Sequence, residues 1–367
     1  MKIAKLEAIP YSIPYRKPLK FASGEVEAAE HVLIRVTTDD GVTGIADTPP
    51  RPYTYGETQA SIVAVVDQIF GPSLLGLDPL DREKIHAKLN RTVHNNTAKG
   101  GIDIAVWDII GQLAGLPVSS MLGGFTDGMR VSHMLGFAES QKLLDEALRM
   151  RDQYGIDTFK LKVGRRPIGL DIEACHVLRD GLGQETEIYL DANRGWTANE
   201  AMEVLRQTDG LGLSLLEEPC DAKEAMSRKR LVEKSPIPVV GDESVPTAGD
   251  VSRELLAGGC NAISIKTARS GFTEAQRILS LCEGLGVDVV IGNQIDTQIG
   301  TLASVTFGSA FEATTRRAGE LSNFLDMSDD LLADPLLIQD GRINAREVPG
   351  VGAAIDEEKL ARYRQDQ

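Results

Sequence analysis

Apolar residues in this chain follow two different rhythms. From about residue 130 onward, short and nearly unbroken apolar runs alternate with stretches of helical spacing. The runs predict strands over 131–136, 158–163, 187–192, 213–218, 238–243, 262–267, 288–293 and 312–318. Between them, SQKLLDEALRMRDQY, TANEAMEVLRQT and TEAQRILSLCEGLG read as amphipathic helices. Continuous apolar strands are characteristic of parallel sheets buried on both faces. Eight such units with short connections predict a closed barrel rather than an open doubly wound sheet.

The first 125 or so residues do not share that rhythm. HVLIRVTT, then DDG, then VTGIAD predicts a hairpin turning at Asp40-Gly41. Residues 57–70 and, more strongly, 100–117 have helical spacing, the second ending near Gly115 and Pro117. Sheet first and helices after is an α+β pattern. The last 45 or so residues, with LLIQDGRI and VPGVGAAID, read as a hairpin and tail returning to the first segment. The expected organisation is a capping domain over 1–125, a barrel over 126–320 and a returning segment over 321–367.

The net charge of −15 argues against a nucleic-acid partner, which requires a basic face. It leaves an anionic substrate open, because local cations or a metal can dominate one pocket. Cys175, Cys220, Cys260 and Cys282 form no C-x-x-C pair and read as reduced thiols of a cytoplasmic protein. The start, MKIAKLEAIPYSIPYRK, lacks the apolar core of a signal peptide, and no run is long enough to span a bilayer. There is no G-x-G-x-x-G after the first strand, no Walker-type loop, no H-E-x-x-H and no G-x-S-x-G.

The candidate chemistry lies at the strand ends. FKLKVG, YLDAN, LLEEP, GDES and ISIKTA each end an apolar run in charged residues. Parallel barrel strands point their C-terminal ends at one mouth, so Lys160, Lys162, Asp191, Glu217, Asp242 and Lys266 should converge there. One acidic strand end is commonly a helix-capping feature. Three in register instead suit a hard cation such as Mg²⁺, which takes oxygen ligands. Lys160 and Lys162 face the same way along a strand, and burying two lysines there is costly unless they are paired. Adjacent cations and a nearby metal should depress a lysine pKa and make Lys162 a general base, with Lys160 as its modulator. Lys266, across the barrel, would reach the opposite face of a bound substrate. The parts suit proton transfer at the α-carbon of a carboxylate whose enediolate is stabilised by a metal.

KLK, DAN, EEP, GDES and SIK together resemble the enolase superfamily in its muconate lactonizing enzyme subgroup, over essentially the whole chain. Sites of that superfamily pair a lysine or histidine base with Mg²⁺. The resemblance implies an α/β fold, a modified TIM barrel (β/α)7β with an α+β capping domain built from the N-terminal segment and the C-terminal tail. It implies Asp191, Glu217 and Asp242 as ligands of Mg²⁺ or Mn²⁺, Lys162 and Lys266 as the acid/base pair, Lys160 as the other lysine of K-x-K, and Asn193 in support. Glu218 stands where many relatives carry Gln.

The subgroup holds muconate cycloisomerases, o-succinylbenzoate synthases, N-acylamino acid racemases and dipeptide epimerases. Epimerases typically carry Asp-x-Asp after the eighth strand, and here the stretch read as corresponding is Asp326-Met327-Ser328. RKPLKFASG, PRPYTYGET, NNTAKGGIDIAVWD and NQIDTQIGTLAS resemble muconate cycloisomerases. They add Tyr55, Arg51, Lys20 and Asp296 as candidate substrate-binding residues. Arg51 or Lys20 is suited to hold a second substrate carboxylate. The expected activity is cycloisomerisation of cis,cis-muconate to muconolactone, with a racemase, epimerase or o-succinylbenzoate synthase as alternatives and a non-catalytic metabolite-binding barrel as a contrast. A small carboxylate is the expected partner, with no nucleic acid and no membrane, and the resemblance implies a homo-oligomer, an octamer being one form.

Overall fold

The computed structural model describes residues 1–21 and 24–366, with side chains for all of these except 19–21, 24 and 25. Lys20 and much of RKPLKFASG therefore lie outside the described side chains. Strands β1 (Ile3–Phe21), β2 (Gly24–Thr38) and β3 (Thr43–Thr48) form an antiparallel sheet in the order β1-β2-β3. The β2–β3 turn falls at the expected Asp40-Gly41, with Gly41 at φ 88°.

The helix Asn96–Ala114 is buried along most of its length between β3 and the barrel helix Thr267–Leu285. Two glycines permit that sandwich. A Cβ on Gly101 would lie 2.1 Å from Thr48 Cγ2, and one on Gly100 would lie 2.9 Å from the Gly271 nitrogen. The helix ends at Gly115, whose φ of 65° suits a left-handed cap.

The barrel strands are β4 (Gly128–Leu135), β5 (Thr158–Lys162), β6 (Glu187–Asp191), β7 (Leu216–Glu217), β8 (Val239–Gly241), β9 (Ala262–Ile265), β10 (Asp288–Ile291) and β11 (Gly319–Glu320). All are parallel, in the order β10-β9-β8-β7-β6-β5-β4-β11. Tyr189, Leu215, Val240, Ala262 and Val290 form an apolar cluster of their own on strand positions that alternate with the outer core. They fill the barrel interior below its charged end.

The eighth strand corrects the sequence reading. Residues 312–318 do not form it: Glu312–Thr315 is a helical turn. Thr314 donates to the carbonyls of Gly308 and Phe311 at 2.6 and 2.9 Å. Such local hydroxyl-to-backbone bonding competes with extended structure. The strand is the pair Gly319–Glu320, in register with Val131 and Ser132 of β4.

The tail divides its contacts. Asp340 (φ 49°) and Gly341 (φ 70°) make a tight turn before strand β12 (Arg342–Asn344), which pairs antiparallel with β4. The helix Glu357–Tyr363 then returns to the first sheet, where Arg364 bridges Tyr11 and Gln365 N–H donates to Pro10 O at 2.8 Å. All four cysteines are free and buried. Among the described residues no helix is long and apolar enough to cross a membrane.

Candidate active site

The strand register turns the expected charges toward one end of the barrel. Lys162 pairs with Asp191, and Asp191 with Glu217, across adjacent strands. Lys160 Nζ is fully enclosed. It lies 2.9 Å from Asp191 Oδ2, 3.0 Å from Glu217 Oε2 and 2.7 Å from Glu320 Oε2. Lys162 Nζ donates to Asp191 Oδ2 at 2.6 Å and Asn193 Oδ1 at 2.7 Å. Lys266 Nζ donates to Asp242 Oδ2 at 2.6 Å. The two outer lysines thus stand on β5 and just past β9, four strands apart in the ladder.

Lys160 and Lys266 are each held by buried carboxylates. Burial opposes their charge, but carboxylates outweigh it: Asp191, Glu217 and Glu320 hold Lys160 well above the ordinary value, and Asp242 does so for Lys266. Conversely, burial would raise Asp191 and Asp242, yet the adjoining cations hold both below the usual carboxylate range. Glu217 goes the other way, raised by burial and by Asp191 and Asp242.

Asp191, Glu217 and Asp242 offer only oxygen donors, come from three successive strands and repel one another. That donor chemistry fits a hard divalent cation, which would relieve the repulsion. As they stand, ammonium groups lie between them, and no three acidic or imidazole side chains among the described residues are drawn together as a metal shell.

Above these groups lies a pocket of about 350 Å³ lined by Lys162, Lys266, Asp242, Asn193, Tyr55 and Arg51, among others. A concavity of about 540 Å³ in the tail, around Asp334 to Arg346, shares none of these residues. Asn193 accepts from Lys162, and its amide donates to Glu243 Oε1 at 3.1 Å. Arg51 is held by backbone carbonyls of Pro50, Gln294 and Ile295. Asp296 does not line the pocket.

Asp296 lies buried behind the wall, near Asp47, with no partner for either carboxyl oxygen among the described residues. Burial first, and Asp47 second, push it up to about 7. A carboxyl raised in this way favours folding below its unfolded value, and that contribution is lost as pH rises through about 7. Asparagine carries no such penalty. Between about pH 5 and pH 8, Asp296→Asn should gain about 2–3 kcal/mol relative to wild type in urea unfolding. An equal difference at both pH values would refute the assignment.

Three contributors, Glu320, Arg269 and Glu243, escaped the sequence reading, and Glu218 was singled out there without a role. Glu320 was hidden by the misplaced eighth strand. Arg269 donates to Asp242 Oδ1 at 2.8 Å, to Ser264 O at 2.9 Å and to the Tyr55 hydroxyl, joining the loop over the pocket to its floor. The available signal was Lys266-x-x-Arg269, a spacing that puts both on one helical face. Glu243, pushed up to about 8 mainly by burial, orients Asn193. Glu218 accepts from buried Arg228 and from the Asp242 and Ser244 N–H groups at 2.6 and 3.3 Å, fixing the loop that carries Asp242. The stretch after the corrected eighth strand is Leu321-Ser322-Asn323, so Asp326 is not the residue to compare with the epimerase motif. Asp326 instead lies near His133, Glu146 and Arg149, and burial raises it to about 6.

The helix carrying Arg269 is broken at Gly271 (φ 63°). Asp103 of the capping helix restores the break. Its Oδ2 accepts from Phe272 and Thr273 N–H at 2.7 and 2.9 Å, and its Oδ1 from the Thr273 hydroxyl at 2.7 Å. His86 Nε2 lies 2.7 Å from the same carboxylate.

A parallel barrel with lysines and carboxylates gathered at one end, under a capping sheet, is the architecture of the enolase superfamily, and the chain belongs to it. Within it the chain belongs to the muconate lactonizing enzyme subgroup. Residues 5–123 match the mandelate racemase / muconate lactonizing enzyme N-terminal domain, and residues 142–359 the enolase C-terminal domain-like family. The chain is 58% identical to the muconate lactonizing enzyme of Mucobacterium smegmatis, solved with muconolactone, with a TM-score of 0.98 and 100% of both chains covered. It is 30% identical to muconate cycloisomerase 1 of Pseudomonas putida, over 98% of each chain. It is also 30% identical to the L-Ala-D/L-Glu epimerase of Bacillus subtilis, over 86% of this chain and 87% of that one.

Proposed function

We propose that this enzyme cycloisomerises cis,cis-muconate to muconolactone. One observation carries the reading: identity to a muconate lactonizing enzyme is 58% along the full chain, against 28–30% for epimerases. The end of β11 and the two residues after it add support, since Glu320-Leu321-Ser322 offers one acid where epimerases typically carry two.

In this reading Asp191, Glu217 and Asp242 hold Mg²⁺ or Mn²⁺. When bound, the ion supplies positive charge against which negative charge can develop on a substrate carboxylate. The substrate's other carboxylate adds through oxygen to the conjugated carbon, forming the ring C–O bond as the π electrons move to the α-carbon and its carboxylate. A lysine ammonium then gives its proton to that α-carbon, and solvent restores the proton. Lys162 and Lys266 flank the pocket from opposite sides, so either face can be served. Lys160, enclosed by three carboxylates, holds the floor together rather than meeting substrate.

Loss of the conjugated-diene absorbance of cis,cis-muconate, dependent on added Mg²⁺ or Mn²⁺, is the expected result with purified protein. No loss, together with solvent deuterium entering the α-carbon of a dipeptide or N-succinylamino acid, would replace this reading with the epimerase or racemase one.

A further inference from the structure

Among the described residues four cationic side chains line the pocket: Arg51, Lys162, Arg194 and Lys266. Three are committed within the protein. Lys162 is bonded to Asp191 and Asn193, Lys266 to Asp242, and Arg51 to the carbonyls of Pro50 and Gln294. Arg194 is not. Among the described residues its guanidinium has only a long bond to Tyr53 O, 3.4 Å, and an approach of 3.9 Å to Glu243 Oε1, beyond hydrogen-bond length. Its side chain is 36% exposed.

The backbone presents this side chain deliberately. Asn193 (φ 41°) and Arg194 (φ 64°) are consecutive left-handed residues, a conformation sparsely populated by non-glycine side chains. The turn is pinned by Arg194 N–H to Glu218 O at 2.8 Å and Gly195 N–H to Ala192 O at 2.7 Å. A Cβ on Gly195 would come within 2.8 Å of Gly164 Cα, so the turn has no room to relax. Strain held in place by its surroundings is characteristic of functional sites. Here it carries Asn193 toward Lys162 and Glu243, and Arg194 to the pocket edge.

We propose that Arg194 is the receptor for a second carboxylate of the substrate. The guanidinium fork matches a carboxylate with two parallel N–H donors. Each oxygen held there keeps a second lone pair, so one of them can attack the conjugated carbon. This rests on the pocket's acting on a carboxylic acid, and it assigns the class as dicarboxylates. Arg51 is left to fasten the loop.

The test is calorimetric titration of the Mg²⁺-loaded protein with adipate and with hexanoate, equal in length and different by one carboxylate. Wild type should prefer adipate. Arg194→Gln should weaken adipate roughly 10- to 100-fold and leave hexanoate within about twofold. Arg194→Lys, keeping charge without the fork, should fall between. Equal weakening of both acids would make Arg194 a loop fastener acting through Tyr53 and overturn the proposal, as would no weakening of adipate or no wild-type preference for it. Absence of muconate turnover would defeat the proposed reaction but leave this comparison unchanged, because no chemistry is needed to read it.

Discussion

Alanine at Asp242 is expected to remove turnover and destabilise the protein together. Its two oxygens accept from Lys266 Nζ at 2.6 Å and Arg269 Nη1 at 2.8 Å, and all three side chains are buried. Truncation leaves two cations without their counter-ion, a change that costs about 3–5 kcal/mol at buried pairs. It also removes one of the three proposed cation ligands, which should lower kcat roughly 10³-fold or more. Asp242→Asn keeps an acceptor and should be less destabilising while remaining nearly inactive. Urea unfolding without added metal and diene absorbance with Mg²⁺ read the two effects separately. Wild-type stability in Asp242→Ala would show that the ion pairs contribute nothing. Turnover near wild type would take Asp242 out of the reaction.

The second large effect separates the lysines. Lys162→Ala and Lys266→Ala should each lower kcat, and loss of the proton donor should cost about 10²- to 10⁴-fold. Binding of adipate should persist in both, because neither is the proposed carboxylate receptor. In D₂O the product acquires deuterium at the α-carbon, and its configuration reports the face of delivery. The donor is the lysine on that face, and its partner's variant should still form the same labelled product more slowly. If both variants are inactive with muconate, and both are also inactive in exchanging the α-proton of a dipeptide that wild type exchanges, a two-base epimerase mechanism is the better description.

The parts of this site that were readable in the sequence are those fixed by strand alternation. Lys160 and Lys162 fall two apart on a strand, and Asp191, Glu217 and Asp242 each end an apolar run, so register alone brings them together. Arg269, Glu320 and Arg194 depend on features without such a period. Arg269 sits beside a helix break at Gly271, Glu320 on a strand of two residues, and Arg194 on a left-handed turn. The eighth strand lies at 319–320 rather than 312–318 because the Thr314 hydroxyl closes a helical turn in the earlier stretch.

Asp103 has a consequence for building hybrids. A carboxylate from the capping helix supplies the acceptors for the second half of the helix that begins beside Lys266, and a Cβ at position 271 would come within 2.5 Å of that same carboxylate. The two segments are therefore not interchangeable modules, although the chain runs through them in series. A chimera that takes its cap from a relative with a different residue at 103, or its barrel from one with a side chain at 271, should misplace Arg269 and loosen the grip on Tyr55. Exchanging substrate loops between relatives should succeed only when residues 100, 103 and 271 travel with them.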